Sequence, residues 1–219
     1  MLENKIIILR KELIEYAASI EAMIEKSIDG LMRKDKRLLT ELIERDEPKA
    51  NDVEIAIEEM AISLIAKFQP KAKDLRTILM VLKINNDLER AADHAVNTAE
   101  SSIHLIERAP LKPLVDTPRM AQESIDMLKD SINAFINEDS HLAYDVCERD
   151  NIVDALANQI LRELITYMVN DTSTIERALH HLKIVKNLER IADLSTNICE
   201  DVIFMVDGKI IKHHIRETI

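Results

Sequence analysis

Residues 83–105 read KINNDLERAADHAVNTAESSIHL, and residues 183–205 read KIVKNLERIADLSTNICEDVIFM. The two stretches align without a gap and share ten of 23 residues. Some of the shared residues are apolar and would serve any buried helix. The shared Glu, Asp and Asn residues lie on one helix face, and packing alone does not require them. The repeat therefore indicates two copies of one helical unit that carry the same polar residues.

The composition favours long helices over strands. The chain of 219 residues is 47% hydrophobic and 32% charged, with two glycines, five prolines and no tryptophan. Strands and hairpins need turn residues that are scarce here, whereas abundant Leu, Ile, Ala, Glu and Lys are typical of helical bundles. The net charge of −11 argues against nucleic-acid binding, because phosphate contacts require clustered Lys and Arg.

Other features of the composition predict a cytoplasmic protein. Cys147 and Cys199 have no CxxC partner, so we expect both to be small buried residues in a reducing compartment. Residues 1–20 carry three glutamates, which does not fit a signal peptide. No stretch reaches ~20 uncharged apolar residues, so no transmembrane span is expected.

Apolar residues recur at three- and four-residue spacing through almost the whole chain, which predicts six helices. Five of them are expected over about 5–32, 36–68, 71–108, 118–137 and 140–170, and the sixth, capped by Asp171-Thr172 or by Thr174, runs to about 206. Pro70 ends the second helix. Thr117 followed by Pro118 has the pattern of an N-cap with proline at the first helical position.

The proline-rich segment 109–113 falls at the midpoint of the chain and is interpreted as a linker. It divides the chain into residues 1–109 and residues 110–219, with three helices in each unit. Short connections make neighbouring helices antiparallel. The predicted fold is therefore all-α, with two pseudo-symmetric three-helix bundles built from six long antiparallel helices.

The repeated helix carries an acidic stripe. Glu89, Asp93, Asn97 and Glu100 have the spacing i, i+4, i+8 and i+11, so they share about 80° of the helix circumference. The stripe lies next to the apolar face, at the margin of the predicted core. The second copy repeats the pattern with Glu189, Asp193, Asn197 and Glu200.

A bound metal cation is the direct explanation for such a stripe. Like charges at i, i+4 destabilise a helix by ~0.2–0.5 kcal/mol per pair, and hard cations take oxygen ligands from carboxylates on facing helices. The second helix of the second unit offers Asp150 and Asp154. The first unit offers Glu47 and Asn51, with Glu54 on the same face, after a register shift of about three residues. A solvated acidic helix face is the alternative interpretation.

The motifs together resemble the PhoU family over nearly the whole chain. The resemblance rests on QPKAKDLR at 69–76 and on LKINNDLERAADHAVNTAE with its echo LKIVKNLERIADLSTNICE. It implies a cytoplasmic accessory protein of the phosphate ABC transporter. Such proteins are negative regulators of the phosphate-starvation response, act between the transporter and a membrane sensor histidine kinase, and are not enzymes. The resemblance therefore implies contacts at the cytoplasmic side, peripheral to the membrane at most, and leaves a homodimer open.

The resemblance also implies metal ions held by E(D)xxxD motifs. Iron is the first expectation, because some family members hold multinuclear iron clusters, and manganese, magnesium or zinc are the alternatives. The matching pairs in this chain are Glu89 with Asp93, Glu189 with Asp193, Asp150 with Asp154, and Glu47 with Asn51. Asn51 stands where the motif has Asp, which removes one charge. This predicts that the first unit binds its ion more weakly or binds a different ion. Asn97, Asn197, Glu100 and Glu200 extend the candidate set along the stripe.

Two other functions remain open from the residues. A di-iron carboxylate enzyme of the ferritin-like kind uses Glu-x-x-His ligands in a four-helix bundle, and the repeated motif here has no such histidine. A purely structural helical protein would carry the acidic stripe as a solvated face. No nucleophile–base pattern or phosphate-binding loop is present, so no catalytic mechanism is predicted. His180 and His181 are interpreted as a solvated pair, and His94 is expected to face away from the stripe.

Overall fold

Six long helices form the part of the chain that the structure, a computed structural model, describes, residues 2–208. The helices are α1 (Leu2–Arg33), α2 (the consecutive segments Lys36–Glu41, Leu42–Asp46 and Glu47–Phe68), α3 (Ala72–Ile106), α4 (Asp116–Asn137), α5 (Ser140–Asn170) and α6 (Ile175–Asp207). No strand occurs within these residues. The all-α prediction with six long helices is confirmed, and no helix in residues 2–208 is long and apolar enough to cross a membrane.

The first connection in each half is built in the same way. The amide of Asp35 donates to the carbonyl of Gly30 at 2.9 Å, and the amide of Asp139 donates to Ala134 at 2.9 Å. In both cases the preceding residue is left-handed, as in a Schellman motif. Each aspartate then caps the next helix, accepting from an amide three residues on at 3.1 Å. These matched turns give the two halves their pseudo-symmetry.

One helical turn differs between the halves. The segment Leu42–Asp46 of α2 is π-helical, whereas α5 is α-helical throughout. A π-helical turn accommodates one extra residue. Glu47 accordingly lies twelve residues after the cap Asp35, and Asp150 lies eleven residues after the cap Asp139. The π-helical turn accounts for one residue of the register shift between the motifs, and periodicity did not predict it.

The two halves share one continuous core. Helix α3 packs against α1 and α2 of its own half and also against α6, while α6 packs against α4, α5 and α3. The residues of α3 at these contacts include small side chains with almost no exposure: Ala91, Ala92, Ala95 and Ala99. Cys147 and Cys199 are free and buried, as predicted. The division at residue 109 stays a prediction, and residues 209–219 of the second unit lie outside the described residues.

Two details differ from the predictions. Thr117 is not an N-cap, because α4 begins at Asp116 and the buried Thr117 hydroxyl lies 2.7 Å from Nε2 of His181. His181 is only 2% exposed, so the interpretation of His180 and His181 as a solvated pair was wrong. Burial lowers the pKa of His181 to about 4, which keeps the ring neutral and able to share a hydrogen bond with Thr117.

The close contact between Gly30 and Leu39 allows a test of the matched turns. A Cβ atom at Gly30 would lie 2.5 Å from Cδ2 of Leu39, whereas Ala134 and Ala143 fill the equivalent positions in the second half. Overpacking of this kind costs about 1–3 kcal/mol, against a gain of up to ~1 kcal/mol in helix propensity. We therefore expect Gly30→Ala to lower the thermal unfolding midpoint by about 2–4 °C.

Adding Leu39→Ala supplies the control. Leu39→Ala alone leaves a cavity and costs about 2–5 kcal/mol. The double variant copies the alanine pair of the second half and should cost less than the sum of the two single variants by about 1 kcal/mol. Strict additivity of the two changes would contradict the proposed steric contact.

Candidate functional site

Helices α5 and α6 bring four of the predicted carboxylates together. Asp150 and Asp154 lie on α5, and Glu189 and Asp193 lie on α6. Burial, followed by the charges of Asp154, Asp193 and Glu189, raises the pKa of Asp150 to about 6. Burial and the two α6 carboxylates likewise raise the pKa of Asp154. The four carboxylates form a cluster of negative charge at the margin of the core, which we call the second-half site.

Basic residues of α6 neutralise part of this charge. Lys186 makes an ion pair with Glu189, and Arg190 lies 3.1 Å from a carboxylate oxygen of Asp193. Both basic side chains are more than half exposed, and such surface pairs contribute little to stability. Neither Asp150 nor Asp154 makes an ion pair among the described residues, but Lys186 partly offsets the charge of Asp154, so the charge of Asp150 is the least compensated of the four.

Helices α2 and α3 form the corresponding first-half site. Burial, followed by the charges of Asp93 and Glu100, raises the pKa of Glu47. Burial, Asp93 and Glu54 raise the pKa of Glu89. In contrast to the second half, neither Glu89 nor Asp93 makes an ion pair within residues 2–208, because the nearby Arg90 reaches Asp87 at 3.4 Å instead. The first-half site is thus a carboxylate cluster without an ion-paired basic residue, and the charge of Arg90 only partly offsets that of Glu89.

The π-helical turn decides which residue of α2 faces the first-half site. Asp46 points to α1, where its carboxylate accepts from Lys26 at 2.7 Å. Arg149 occupies the equivalent place in α5 and binds Glu123 and Asp130 of α4, each at 2.7 Å. The next residue, Glu47 or Asp150, therefore faces the acidic stripe in each half. The triplet Glu-Arg-Asp, which occurs at 44–46 and at 148–150, would pair Asp46 with Asp150 in sequence, whereas the structure makes Glu47 the equivalent of Asp150.

The remaining candidate residues lie at the edges of the two sites. Asn51 and Asn97 are exposed, and the structure shows no side-chain hydrogen bond for either within its described part. Asn197 and Glu200 line a groove between α3 and α6, beside Lys83, Asp87 and Asp201. Glu100 lies with the first-half site, close enough to Glu47 to raise its pKa. Glu54, which the sequence placed only on the same face, also lies there.

The chemistry of both sites fits hard cations. Each site offers carboxylate oxygens, which Mg²⁺, Mn²⁺ and Ca²⁺ prefer and which iron also accepts. No three His, Cys, Asp or Glu side chains in residues 2–208 converge closely enough to enclose an ion. The neighbouring carboxylates repel one another, so a cation would have to draw them together.

Four histidines within residues 2–208 do not complete either site. His94, for which the sequence predicted only that it faces away from the stripe, lies against α6, where its Nδ1 is 3.0 Å from Oδ1 of Asn187. His104 and His180 stack on one another with ring centroids 3.5 Å apart. Nε2 of His181 shares a hydrogen bond with the hydroxyl of Thr117. The Glu-x-x-His ligand pattern of ferritin-like enzymes is therefore not assembled by these four residues.

Comparison with known proteins identifies relatives of the whole chain. The model of the family described as PhoU domain matches residues 13–102 and again residues 117–202. The chain is 39% identical over 209 residues to a phosphate-specific transport system accessory protein PhoU homolog of Aquifex aeolicus, covering 95% of this chain and 94% of that relative. It is 33% identical to PhoU homolog 2 of Thermotoga maritima, over 97% of this chain and 90% of the relative.

Solved structures show the same fold. PhoU from Pseudomonas aeruginosa superposes with a TM-score of 0.91 at 30% identity, over 95% of this chain and 100% of that chain. A phosphate transport system regulatory protein PhoU from Streptococcus pneumoniae, at 24% identity, superposes with a TM-score of 0.86. The pseudo-symmetric arrangement of two three-helix bundles is thus shared with these proteins.

The charge of Asp150 predicts a pH effect on stability. A folded-state pKa of about 6 means that folding favours the protonated carboxyl, so the cost of the ionised form is absent below about pH 4 and grows as the pH rises through 6. We expect Asp150→Asn to stabilise the cation-free protein at pH 7.5 by about 1–2 kcal/mol, allowing for solvent screening. Calorimetry in the presence of EDTA at pH 7.5 and pH 4 measures the difference.

The gain in unfolding free energy from Asp150→Asn should be much smaller at pH 4, because Asp150 of the wild type is then protonated. Asp145→Asn is the matched control, since Asp145 is an exposed carboxylate on the same helix, and it should change the midpoint little at either pH. A destabilising Asp150→Asn variant at pH 7.5 would show that the folded protein favours the ionised carboxylate.

Proposed function

Because the chain belongs to the PhoU family, we propose that it is a regulatory adaptor of phosphate uptake. It acts without catalysis on the cytoplasmic side of the membrane, between a phosphate ABC transporter and a sensor histidine kinase. There it represses the phosphate-starvation response when phosphate is plentiful. The observation that carries this proposal is the match of both halves to the family model, supported by relatives named as accessory proteins of phosphate-specific transport.

Metal binding is the second part of the proposal. Glu47, Glu89 and Asp93, with Asn51, Asn97 and Glu100 beside them, hold a cation in the first half. Asp150, Asp154, Glu189 and Asp193, with Asn197 and Glu200, hold one in the second half. Iron is the first candidate, followed by manganese, magnesium and zinc. The raised pKa values of Glu47, Glu89, Asp150 and Asp154 support this part, because they mark unneutralised charge that a cation would compensate.

The cation supplies positive charge that ties the second helix of each half to the third. In the first half it joins α2 to α3, and in the second half it joins α5 to α6. Both third helices also pack against each other, so binding in either half stiffens the shared core. The negative net charge of the chain suits association with basic cytoplasmic loops of membrane proteins. A metal-dependent change of rigidity is therefore available to an adaptor that contacts two partners.

Deletion of the gene tests the regulatory role. We expect expression of phosphate-starvation genes in high phosphate to rise to a level near that of starved wild-type cells, because the repressing adaptor is lost. A transcriptional reporter in the native host measures this, and a plasmid copy of the wild-type gene should restore repression. An unchanged reporter in high phosphate would contradict the regulatory role, whatever the metal content.

Elemental analysis of untagged protein, purified without chelators, tests metal binding. We expect bound transition metal in the wild type, and its loss in the variant Glu89→Ala/Asp93→Ala/Glu189→Ala/Asp193→Ala, because both stripes lose their carboxylates. Circular dichroism should show that the variant remains helical.

The control removes the same number of charges elsewhere. The variant Glu3→Ala/Glu25→Ala/Glu59→Ala/Asp145→Ala changes exposed carboxylates outside the candidate set and should retain its metal. Equal metal content in all three proteins, or none in the wild type, would refute metal binding by the stripes and leave the regulatory role to be decided by the reporter.

A further inference from the structure

Three polar residues surround the first-half site at positions where the second half is apolar. The matched turns, the site carboxylates of α2 and α5, and the repeated Glu of α3 and α6 fix the equivalent positions. The pairs are Tyr16 with Met120, Glu54 with Ala157, and Asn85 with Val185. Other polar-for-apolar differences occur elsewhere, such as Thr98 with Ile198 and Ser102 with Val202; these three lie near the carboxylates of one site.

Tyr16 is buried but its hydroxyl group has no partner. The side chain is 1% exposed, and the hydroxyl makes no hydrogen bond with any described residue. Leaving a buried hydroxyl unpaired is costly, and native proteins rarely do so without a reason. Burial raises the pKa of Tyr16, and the charges of Glu54, Glu89 and Asp93 raise it further. The buried hydroxyl therefore lies near enough to the first-half carboxylates to feel their charge.

Asn85 fixes Glu54 to the same place. Its side chain is 1% exposed, and its Nδ2 donates to the backbone carbonyl of Glu54 at 3.0 Å. Oδ1 of Asn85 is a second buried polar atom without a partner in the described part of the chain. Because Asn85 lies one turn before Glu89 on α3, this bond holds the α2 backbone at Glu54 against the acidic stripe. The second half, with Val185 and Ala157, has neither group.

Glu54 also balances the charge of the two sites. The first half has Asn51 where the second half has Asp154, so its motif carries one carboxylate fewer. Glu54 lies close enough to Glu89 to raise the pKa of that residue. With Glu54 included, each half presents four carboxylates from two helices besides Glu100 and Glu200.

We propose that Glu54 is the fourth carboxylate ligand of the first-half cation site, in the role that Asp154 has in the second half. Tyr16 is a positioning residue, whose hydroxyl donates a hydrogen bond to a ligand carboxylate once the cation has drawn the carboxylates together. Asn85 positions the α2 backbone at Glu54. The inference rests on the proposed function, because it assumes that the first-half site binds a cation.

Manganese titration isolates the first-half site. The background variant Asp150→Asn/Asp154→Asn disables the second-half site, and isothermal titration with Mn²⁺ then reports the first alone. We expect Glu54→Gln in this background to weaken Mn²⁺ binding at least ten-fold, because a charged ligand becomes neutral at nearly the same volume. Glu59→Gln removes an exposed carboxylate of the same helix and should change the affinity less than two-fold. Equal affinity in the two variants would overturn the role of Glu54.

Tyr16→Phe tests the positioning role with two readouts. Removing a partner that orients a ligand lowers metal affinity by about ten-fold or more, so Mn²⁺ binding should weaken. In EDTA the thermal unfolding midpoint should stay the same or rise, because the unpaired hydroxyl is gone. The rise of that midpoint on adding Mn²⁺ should be smaller than in the background protein. Tyr144→Phe, at a half-buried tyrosine of α5, is the matched control.

The outcomes separate this inference from the proposed function. Unchanged affinity in Tyr16→Phe, with a midpoint lowered equally in EDTA and in Mn²⁺, would show a structural tyrosine and overturn its positioning role. If the background protein does not bind Mn²⁺, the whole inference about the first half is overturned. If the wild type nevertheless binds Mn²⁺, the proposal of metal binding in the second half stands. Absence of metal from the wild-type protein would refute metal binding in both halves.

Discussion

The packing of α3 against α6 is the constraint on which the rest of the structure depends. Each of these helices buries one side in its own bundle and another against its counterpart. The small residues Ala91 and Ala95 of α3 allow this close double packing. Polar residues of these helices lie partly beside the second helix of the same half and partly along the groove between α3 and α6, where Lys83 pairs with Asp201. Glu89 and Glu189 lie beside the second helix, so the fold itself sets carboxylates of two helices side by side.

This placement has an electrostatic cost that the protein without a cation cannot avoid. Partial burial and like charges raise the pKa values of Glu47, Glu89, Asp150 and Asp154, which means that folding opposes their ionisation. Replacing such carboxylates by neutral residues would favour the fold. Residues that a fold would be more stable without are typical of functional sites. A bound cation reverses the sign of the effect, because the same charges then become ligands.

The helical architecture follows from the sequence because the periodic signal is long and the interruptions are few. Helix α3 alone covers 35 residues, so local errors at its ends do not change its identity, and the repeated stripe predicted which carboxylates would be neighbours. The π-helical turn could not be predicted from periodicity, since one extra residue hardly disturbs an apolar pattern. The burial of His181 depends on Thr117, which is distant in sequence and belongs to another helix. Tyr16 and Asn85 lie on largely apolar faces, and only alignment of the two halves shows that they are polar substitutions in an apolar pattern.

The two halves surround their carboxylates with different residues, and this difference bears on the prediction, drawn from Asn51, that the first half binds a cation more weakly or binds a different ion. In the second half, a cation must compete with Lys186 and Arg190, which already pair with Glu189 and Asp193. In the first half, Glu89 and Asp93 make no ion pair among residues 2–208, and Glu54 restores the charge missing at Asn51. A cation entering the first half therefore displaces no basic side chain and gains the hydroxyl of Tyr16 as a support for its ligands. The two halves therefore differ in the groups that a cation would meet, and measured affinities of the two sites would rank them.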